Sequence, residues 1–128
     1  MISVIGKAPV LASGGTLPLS PAVRAGEFLF ISGQLGLDDD GKLVGEDIAS
    51  QTRQAIARIE SILAMAGARP DQIVKVSVWL TEKGDFPAFN KVYAEHFPAC
   101  PPARSTVVSG LLIQGARVEL DAIAYLGP

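Results

Sequence analysis

Apolar residues in this chain either alternate with polar ones or recur at helical spacing, in blocks separated by glycine and proline. Glu27-Phe28-Leu29-Phe30-Ile31-Ser32 is the first clear strand, stopping at Gly33. Ala22-Val23-Arg24, set off by Ala25-Gly26, reads as its hairpin partner. Between Asp47 and Ala66 the residues Ile48, Ala55, Ile56, Ile59, Ile62, Leu63 and Ala66 follow a helical period. Glu46 and Asp47 stand at the positive end of that helix, and Gly67 is a good stop. Ile73 to Leu80 alternates again, with Val74, Val76, Val78 and Leu80 expected on one face and Lys75, Ser77 and Trp79 on the other. Asp85 is the expected N-cap of a second helix from Phe86 to about Phe97, with Pro87 in its first turn. The prolines between Pro98 and Pro102 end that helix, and strands at Ala103–Val108 and Arg117–Tyr125 follow.

The order β-β-α-β-α-β-β predicts an α+β sandwich with a mostly antiparallel sheet. Two helices can cover only one face of such a sheet. Yet Phe28-Leu29-Phe30-Ile31 is apolar toward both faces, and Trp79 lies opposite the helix-facing valines. An uncovered face bearing these residues is a partner surface. We expect a homo-oligomer packed through its sheets, for which three-fold closure is one solution.

Composition narrows the function more than the fold. The chain has 128 residues, the length of one domain (1–128), with 48% hydrophobic and 19% charged residues. Its 11 basic and 13 acidic residues give a net charge of −2, scattered without the basic stripe that nucleic-acid binders use. Asp38-Asp39-Asp40 leads into Gly41 as an acidic turn. Cys100 and His96 are each the only residue of their type, which leaves no intrachain disulfide and no multi-cysteine or histidine-rich metal site. Pro9 and Gly14-Gly15 interrupt the N-terminal stretch too early for a signal-peptide core, and no apolar run approaches a membrane span. A cytoplasmic protein is expected.

The chemistry centres on Pro102-Ala103-Arg104-Ser105-Thr106 and on Val118-Glu119-Leu120-Asp121. Each puts a charge into an otherwise apolar strand. Arg104 offers a planar fork for a carboxylate or phosphate, and the prolines before it hold its backbone extended. Glu119 is suited to holding or deprotonating a water. Together they outline a pocket for an anionic substrate attacked by water, with no metal and no bound cofactor required. A solvated strand arginine, and a charged face shared by Arg117, Glu119 and Asp121, fit the same pattern. Ser32-Gly33-Gln34 ends a buried strand where glycine permits close approach to backbone amides. Asn90, among Phe89 and Tyr93, reads as a hydrogen-bonding linker. His96 at the negative end of its helix reads as structural, Cys100 lacks an activating neighbour, and Gly14-Gly15 lacks the lysine of a phosphate loop.

These residues carry a resemblance. From about Leu17 to Ala124 the chain resembles the reactive intermediate deaminase family, also called the YjgF/YER057c/UK114 or L-PSP family. The matching landmarks are Phe30-Ile31-Ser32-Gly33-Gln34, Gln51-Thr52-Arg53-Gln54, Asp85-Phe86 through Asn90 to Tyr93, Pro102-Ala103-Arg104-Ser105, and Val118-Glu119-Leu120-Asp121-Ala122-Ile123-Ala124. The resemblance implies a chorismate-mutase-like fold and a homotrimer with active sites in the clefts between subunits. It also implies hydrolysis of enamines and imines, such as 2-aminoacrylate to pyruvate and ammonia. By that likeness Arg104 binds the substrate carboxylate, assisted by the backbone amide of Thr106. Glu119 positions the attacking water, Ser32 and Gly33 line the opposite wall, and Asn90 supports the site. Leu19 stands where many members carry tyrosine, Thr106 where cysteine is frequent, and Leu120 where isoleucine or methionine is usual. The first two alter the pocket wall. A non-enzymatic binder of small 2-oxoacids, an endoribonuclease or translation inhibitor, and a deaminase of a larger ring-cleavage enamine are the competing readings.

Overall fold

A computed structural model describes residues 1–11 and 13–128. Its elements are β1 (Ile2–Ile5), β2 (Ala22–Ala25), β3 (Phe28–Leu35), α1 (Ile48–Met65), β4 (Ile73–Leu80), α2 (Phe86–His96), β5 (Ala103–Val108) and β6 (Val118–Tyr125). The strands form one sheet in the order β1-β2-β3-β6-β4-β5. Only the β4–β5 pair is parallel, as the crossover through α2 requires, and all the others are antiparallel. Both helices lie on the same side, so the expected α+β sandwich is the observed one.

α1 begins and ends where local chemistry dictates. The Asp47 carboxylate accepts from the Ser50 amide at 2.8 Å, satisfying one of the free N–H groups of the first turn. That bond holds the Asp47 carboxyl below the usual carboxylate range. At the far end Gly67 takes a φ of 72°, and Ala68 donates back to the Leu63 carbonyl. Between these caps Ala55, Ile56, Ile59, Ile62 and Leu63 are buried against Leu29, Ile31, Val76, Leu120 and Ala122 of the sheet. Phe89 and Val92 bury the inner side of α2. Each such side chain contributes about 1.5–3 kcal/mol by leaving water.

Several details differ from the sequence reading. β1 was not expected; it pairs with β2 at the sheet edge, Ile2 opposite Ala25, although it is almost wholly exposed. In β4, Val74 is exposed and Ile73 takes the buried place. The cause is a bulge in the β4–β6 ladder between Ile73 and Lys75, which shifts the alternation by one residue. Asp85 does precede α2, yet its carboxylate does not cap the helix. It accepts instead from Arg117 Nε at 2.9 Å and Nη2 at 2.8 Å, which makes Arg117 a structural cation.

A second bulge shapes β3. Ile31 pairs with Ala122 but Gln34 pairs with Leu120, so Ser32 and Gly33 together face the single residue Asp121. β3 therefore runs two residues beyond the expected stop at Gly33, to Leu35.

The face away from the helices carries Phe28, Phe30, Val107 and Tyr125 at 36–49% exposure, with Trp79 and Ile123 half-buried beside them. Phe28 packs on Tyr125 at 5.2 Å between ring centroids and lies 6.5 Å from Phe30. This is the uncovered apolar face that the strand pattern predicts.

Candidate active site

Arg104 and Thr106 occupy the helix side of the edge strand β5, opposite Val76 and Val78 of β4. The Arg104 guanidinium lies over Tyr93, Phe89 and Phe86 of α2, at 4.6, 5.3 and 5.7 Å from the ring centroids. Its Nη2 donates to Asn90 Oδ1 at 2.9 Å. Phe86, Phe89, Asn90 and Tyr93 share one helix face because they fall at i, i+3, i+4 and i+7. Three rings lie within cation–π distance of the guanidinium, and Asn90 takes one of its N–H groups. Among the described residues no carboxylate lies within ion-pair distance of Arg104. Burial pushes the Tyr93 hydroxyl above the ordinary tyrosine value, partly offset by Arg104.

Thr106 Oγ1 is buried without a hydrogen-bond partner. Thr106 also lines a mostly apolar cleft of about 490 Å³, together with Leu80, Lys83, Phe86, Pro87 and Val108. A buried hydroxyl without a partner is a polar group that the single chain leaves unsatisfied.

Glu119 lies on the other face. It pairs with Trp79 of β4 and Leu35 of β3, and its carboxylate rests against Gly33, where any Cβ would run into Oε2. The bulge brings that glycine under the acid. Burial, and then the nearby Asp121 carboxylate, push the Glu119 carboxyl above the usual range. Glu119 also borders a small cleft of about 200 Å³ with Trp79, Ser109, Gly110 and Leu112. Ser32 Oγ donates to the Ser20 carbonyl at 2.6 Å, which ties the loop carrying the exposed Leu19 to the bulge.

The structure thus sorts the expected site residues into two clusters. Arg104, Asn90 and Thr106 stand on the helix side of the sheet edge. Ser32, Gly33 and Glu119 stand on the open face, with Leu19 on the loop beside Ser32. One chain does not join them. The sequence reading missed the aromatic cage of Phe86, Phe89 and Tyr93, although the helical spacing of these rings around Asn90 was its available signal. Asn90 itself is a direct partner of Arg104 rather than a linker between loops. His96 packs near Glu60 of α1, with Nδ1 at 3.8 Å from Oε1, and Cys100 is exposed. Among the described residues no group of three or more His, Cys, Asp or Glu is placed to hold a metal ion, and no helix is long and apolar enough to cross a membrane.

A six-stranded sheet with two helices on one face, an aromatic-caged arginine at its edge and a half-buried glutamate on its bare side define a YjgF-like α+β domain. The model of the endoribonuclease L-PSP family matches residues 12–126, and the chain belongs to that family, whose members include the reactive intermediate deaminases. It is 43% identical over 109 residues to a RutC family protein of Pyrococcus horikoshii, covering 84% of this chain and 86% of that protein. It is 40% identical over 112 residues to the 2-iminobutanoate/2-iminopropanoate deaminase of Capra hircus, covering 87% and 82% of the two chains. The crystal structure of E. coli TdcF with bound serine superimposes with a TM-score of 0.84 at 29% identity, covering 96% of this chain and 98% of that one.

Proposed function

We propose that this protein hydrolyses small 2-imino acids and their enamine tautomers to 2-oxoacids and ammonia, at sites assembled between copies of the chain. The observation that carries this reading is the Arg104 guanidinium, caged by rings, bonded to Asn90 and left without a carboxylate partner. Such a group is prepared for an external carboxylate. The family relationship, and the deaminase named among the relatives, support the same substrate class.

Arg104 and Glu119 point to opposite sides of the sheet, so one subunit supplies each half of the pocket. Packing the open apolar face of one copy against the edge of the next brings Arg104, Asn90 and Thr106 of one to Ser32, Gly33 and Glu119 of the other. The same contact buries Phe28, Phe30 and Tyr125. A closed trimer satisfies every copy in the same way.

The reaction follows from few groups. An enamine takes up a proton at carbon and gives one up from nitrogen to become the imine, whose C=N carbon is electrophilic. Arg104 holds the substrate carboxylate and so orients that carbon. Glu119 takes a proton from water as the oxygen bonds to carbon, and the imine nitrogen is protonated to an amine. The tetrahedral carbinolamine then loses ammonia as the C–N bond breaks and the carbonyl forms. A glutamate whose proton affinity is raised by burial suits both uptake and return of that proton. The reaction consumes one water and needs neither oxidant nor reductant.

The test is ammonia release from imines generated in place by an amino-acid oxidase, comparing wild type with Arg104→Ala. Acceleration by wild type that falls steeply in the variant is the expected result. Binding of 2-oxoacids without any acceleration across small and bulky imines would replace the deaminase by a carboxylate-binding protein.

A further inference from the structure

The contact between Glu119 and Gly33 depends on a bulge, and the bulge has its own support on the opposite side of the sheet. Gln34 is the residue that closes it. Its side chain is 8% exposed and points toward α1. Its Nε2 donates to the Ser32 carbonyl at 3.0 Å, and its Oε1 accepts from Arg58 Nε at 3.1 Å. Arg58 also donates through Nη1 to the Leu37 carbonyl at 3.2 Å, where Gln54 Nε2 donates at 2.8 Å. α1 therefore grips β3 at both ends of the stretch from Gln34 to Leu37.

We propose that Gln34, oriented by Arg58, is a positioning residue that holds the Ser32–Gly33 bulge beneath Glu119. Neither side chain reaches the open face. Gln34 acts through the backbone it fixes: the carbonyl of Ser32 is bound from the helix side, while Gly33 supports the carboxylate from below. A buried amide that meets a guanidinium at one end and a carbonyl at the other has little freedom to turn. Ser32 is pinned from its other flank as well, by its amide to the Pro21 carbonyl at 2.9 Å and its hydroxyl to Ser20. The bulge thus lies between two sets of bonds, and only the set from Gln34 links it to α1.

The neighbours of Glu119 on the open face limit what else can move it. Gly33 on β3, Trp79 on β4 and the turn from Ser109 to Leu112 bring no charge to it. Within one chain Asp121, on the same strand, is the group whose charge acts on its carboxyl, and in the proposed assembly Arg104 of the neighbouring copy faces it as well. Gln34 and Arg58 lie on the helix side and touch neither Asp121 nor Arg104, so a change in the proton affinity of Glu119 in their variants reports a change in its burial.

This inference rests on the deaminase reading for its kinetic consequence but not for its physical one. The experiment combines a carboxyl-carbon NMR titration of Glu119 in the substrate-free protein with imine-hydrolysis kinetics, for wild type, Gln34→Leu, Arg58→Met and Arg58→Lys. In Gln34→Leu the titration midpoint of Glu119 falls toward that of an ordinary glutamate as the bulge loosens and water enters. The kcat falls about 10- to 100-fold, as misplacement of a reacting group by about an ångström does, with KM changed less than about twofold. Arg58→Met shifts the midpoint in the same direction, and Arg58→Lys, which keeps a donor for Gln34, recovers part of it. Should Gln34→Leu fail to fold, the partly exposed Arg58 gives the same readings through its two variants. A folded Gln34→Leu or Arg58→Met with lower thermal stability but an unmoved Glu119 midpoint overturns the positioning role. Wild type that hydrolyses no imine removes the deaminase reading, while the titration still decides the role of Gln34.

Discussion

Arg104 and Glu119 stand on opposite faces of one sheet, in strands separated by β4, with Arg104 opposite Val76 and Glu119 opposite Trp79. Strand alternation alone enforces this, because Val76 and Trp79 are three residues apart and so point to different sides. The two charges therefore stay unpaired in a single chain. Arg104 meets three rings and Asn90 but no carboxylate, and burial raises the proton affinity of the Glu119 carboxyl.

Arg104→Ala removes the proposed carboxylate anchor and leaves Asn90 Oδ1 without its partner. We expect kcat/KM for a 2-imino acid to fall by about 10- to 100-fold, the worth of a hydrogen-bonded charge contact. Arg104→Lys does not restore it, since an ammonium cannot lie flat among three rings and present a fork. Coupled ammonia-release kinetics read both variants. Wild-type kcat/KM in the alanine variant would remove Arg104 from the site.

Gly33→Ala and Gly36→Ala separate site from scaffold. A Cβ at Gly33 displaces only the end of the Glu119 side chain, so stability changes by less than about 1 kcal/mol while activity is lost. A Cβ at Gly36 meets the Gln51 backbone of α1 at 2.6 Å, which the helix must move to accommodate. That costs about 1–3 kcal/mol. Denaturant unfolding beside imine kinetics distinguishes them, and equal loss of stability in both would contradict the assignment.

Glu119→Gln tests the sign of a proton linkage. The native state raises the proton affinity of Glu119, so its contribution to stability is fully present below the ordinary value of 4.5 and is lost as pH rises through the raised native value. The glutamine variant is therefore more stable than wild type at pH 7, and the gain shrinks on acidification toward pH 4. Activity moves the other way: in wild type kcat/KM falls as the pH drops through that same raised value. Thermal melts across this range are the check, and a glutamine variant less stable at pH 7 than wild type would reverse the argument.

Phe30→Asp places a charge in the exposed cluster of Phe28, Phe30 and Tyr125 without entering the core that α1 and α2 cover. In sedimentation experiments we expect wild type to run as a trimer and this variant as a folded monomer. Imine hydrolysis falls with assembly, and mixing this variant with Arg104→Ala does not restore it. A Phe30→Asp protein that stays assembled would place the subunit contact elsewhere.

Most of the architecture was legible because periodicity reports burial directly. Ile56, Ile59 and Leu63 could only be one face of a helix, and Val76, Val78 and Leu80 one face of a strand. The two bulges were not legible, since nothing in Ile31-Ser32-Gly33-Gln34 or Ile73-Val74-Lys75 says which residue the ladder will skip. β1 escaped notice because Ile2, Ser3 and Val4 are exposed and only Ile5 packs against the core, too little to mark a strand by burial. Asp85 shows the limit of a local rule. It sits where an N-cap belongs, but Arg117 from a distant strand offers two charged hydrogen bonds and takes the carboxylate.

Every element but β1, the helix-covered face and its bare counterpart, and the charged residues of the apolar strands can be read along the chain. Local spacing carries all of these. It also carried the family likeness, through Pro102-Ala103-Arg104-Ser105 and Val118-Glu119. The cage of α2 rings around Arg104, the seat of Glu119 over Gly33 and the opposed directions of these two groups arise only in three dimensions. Which strands become neighbours, and where a ladder gains a residue, depend on contacts between segments far apart in the chain. A pattern read along the chain holds no record of them.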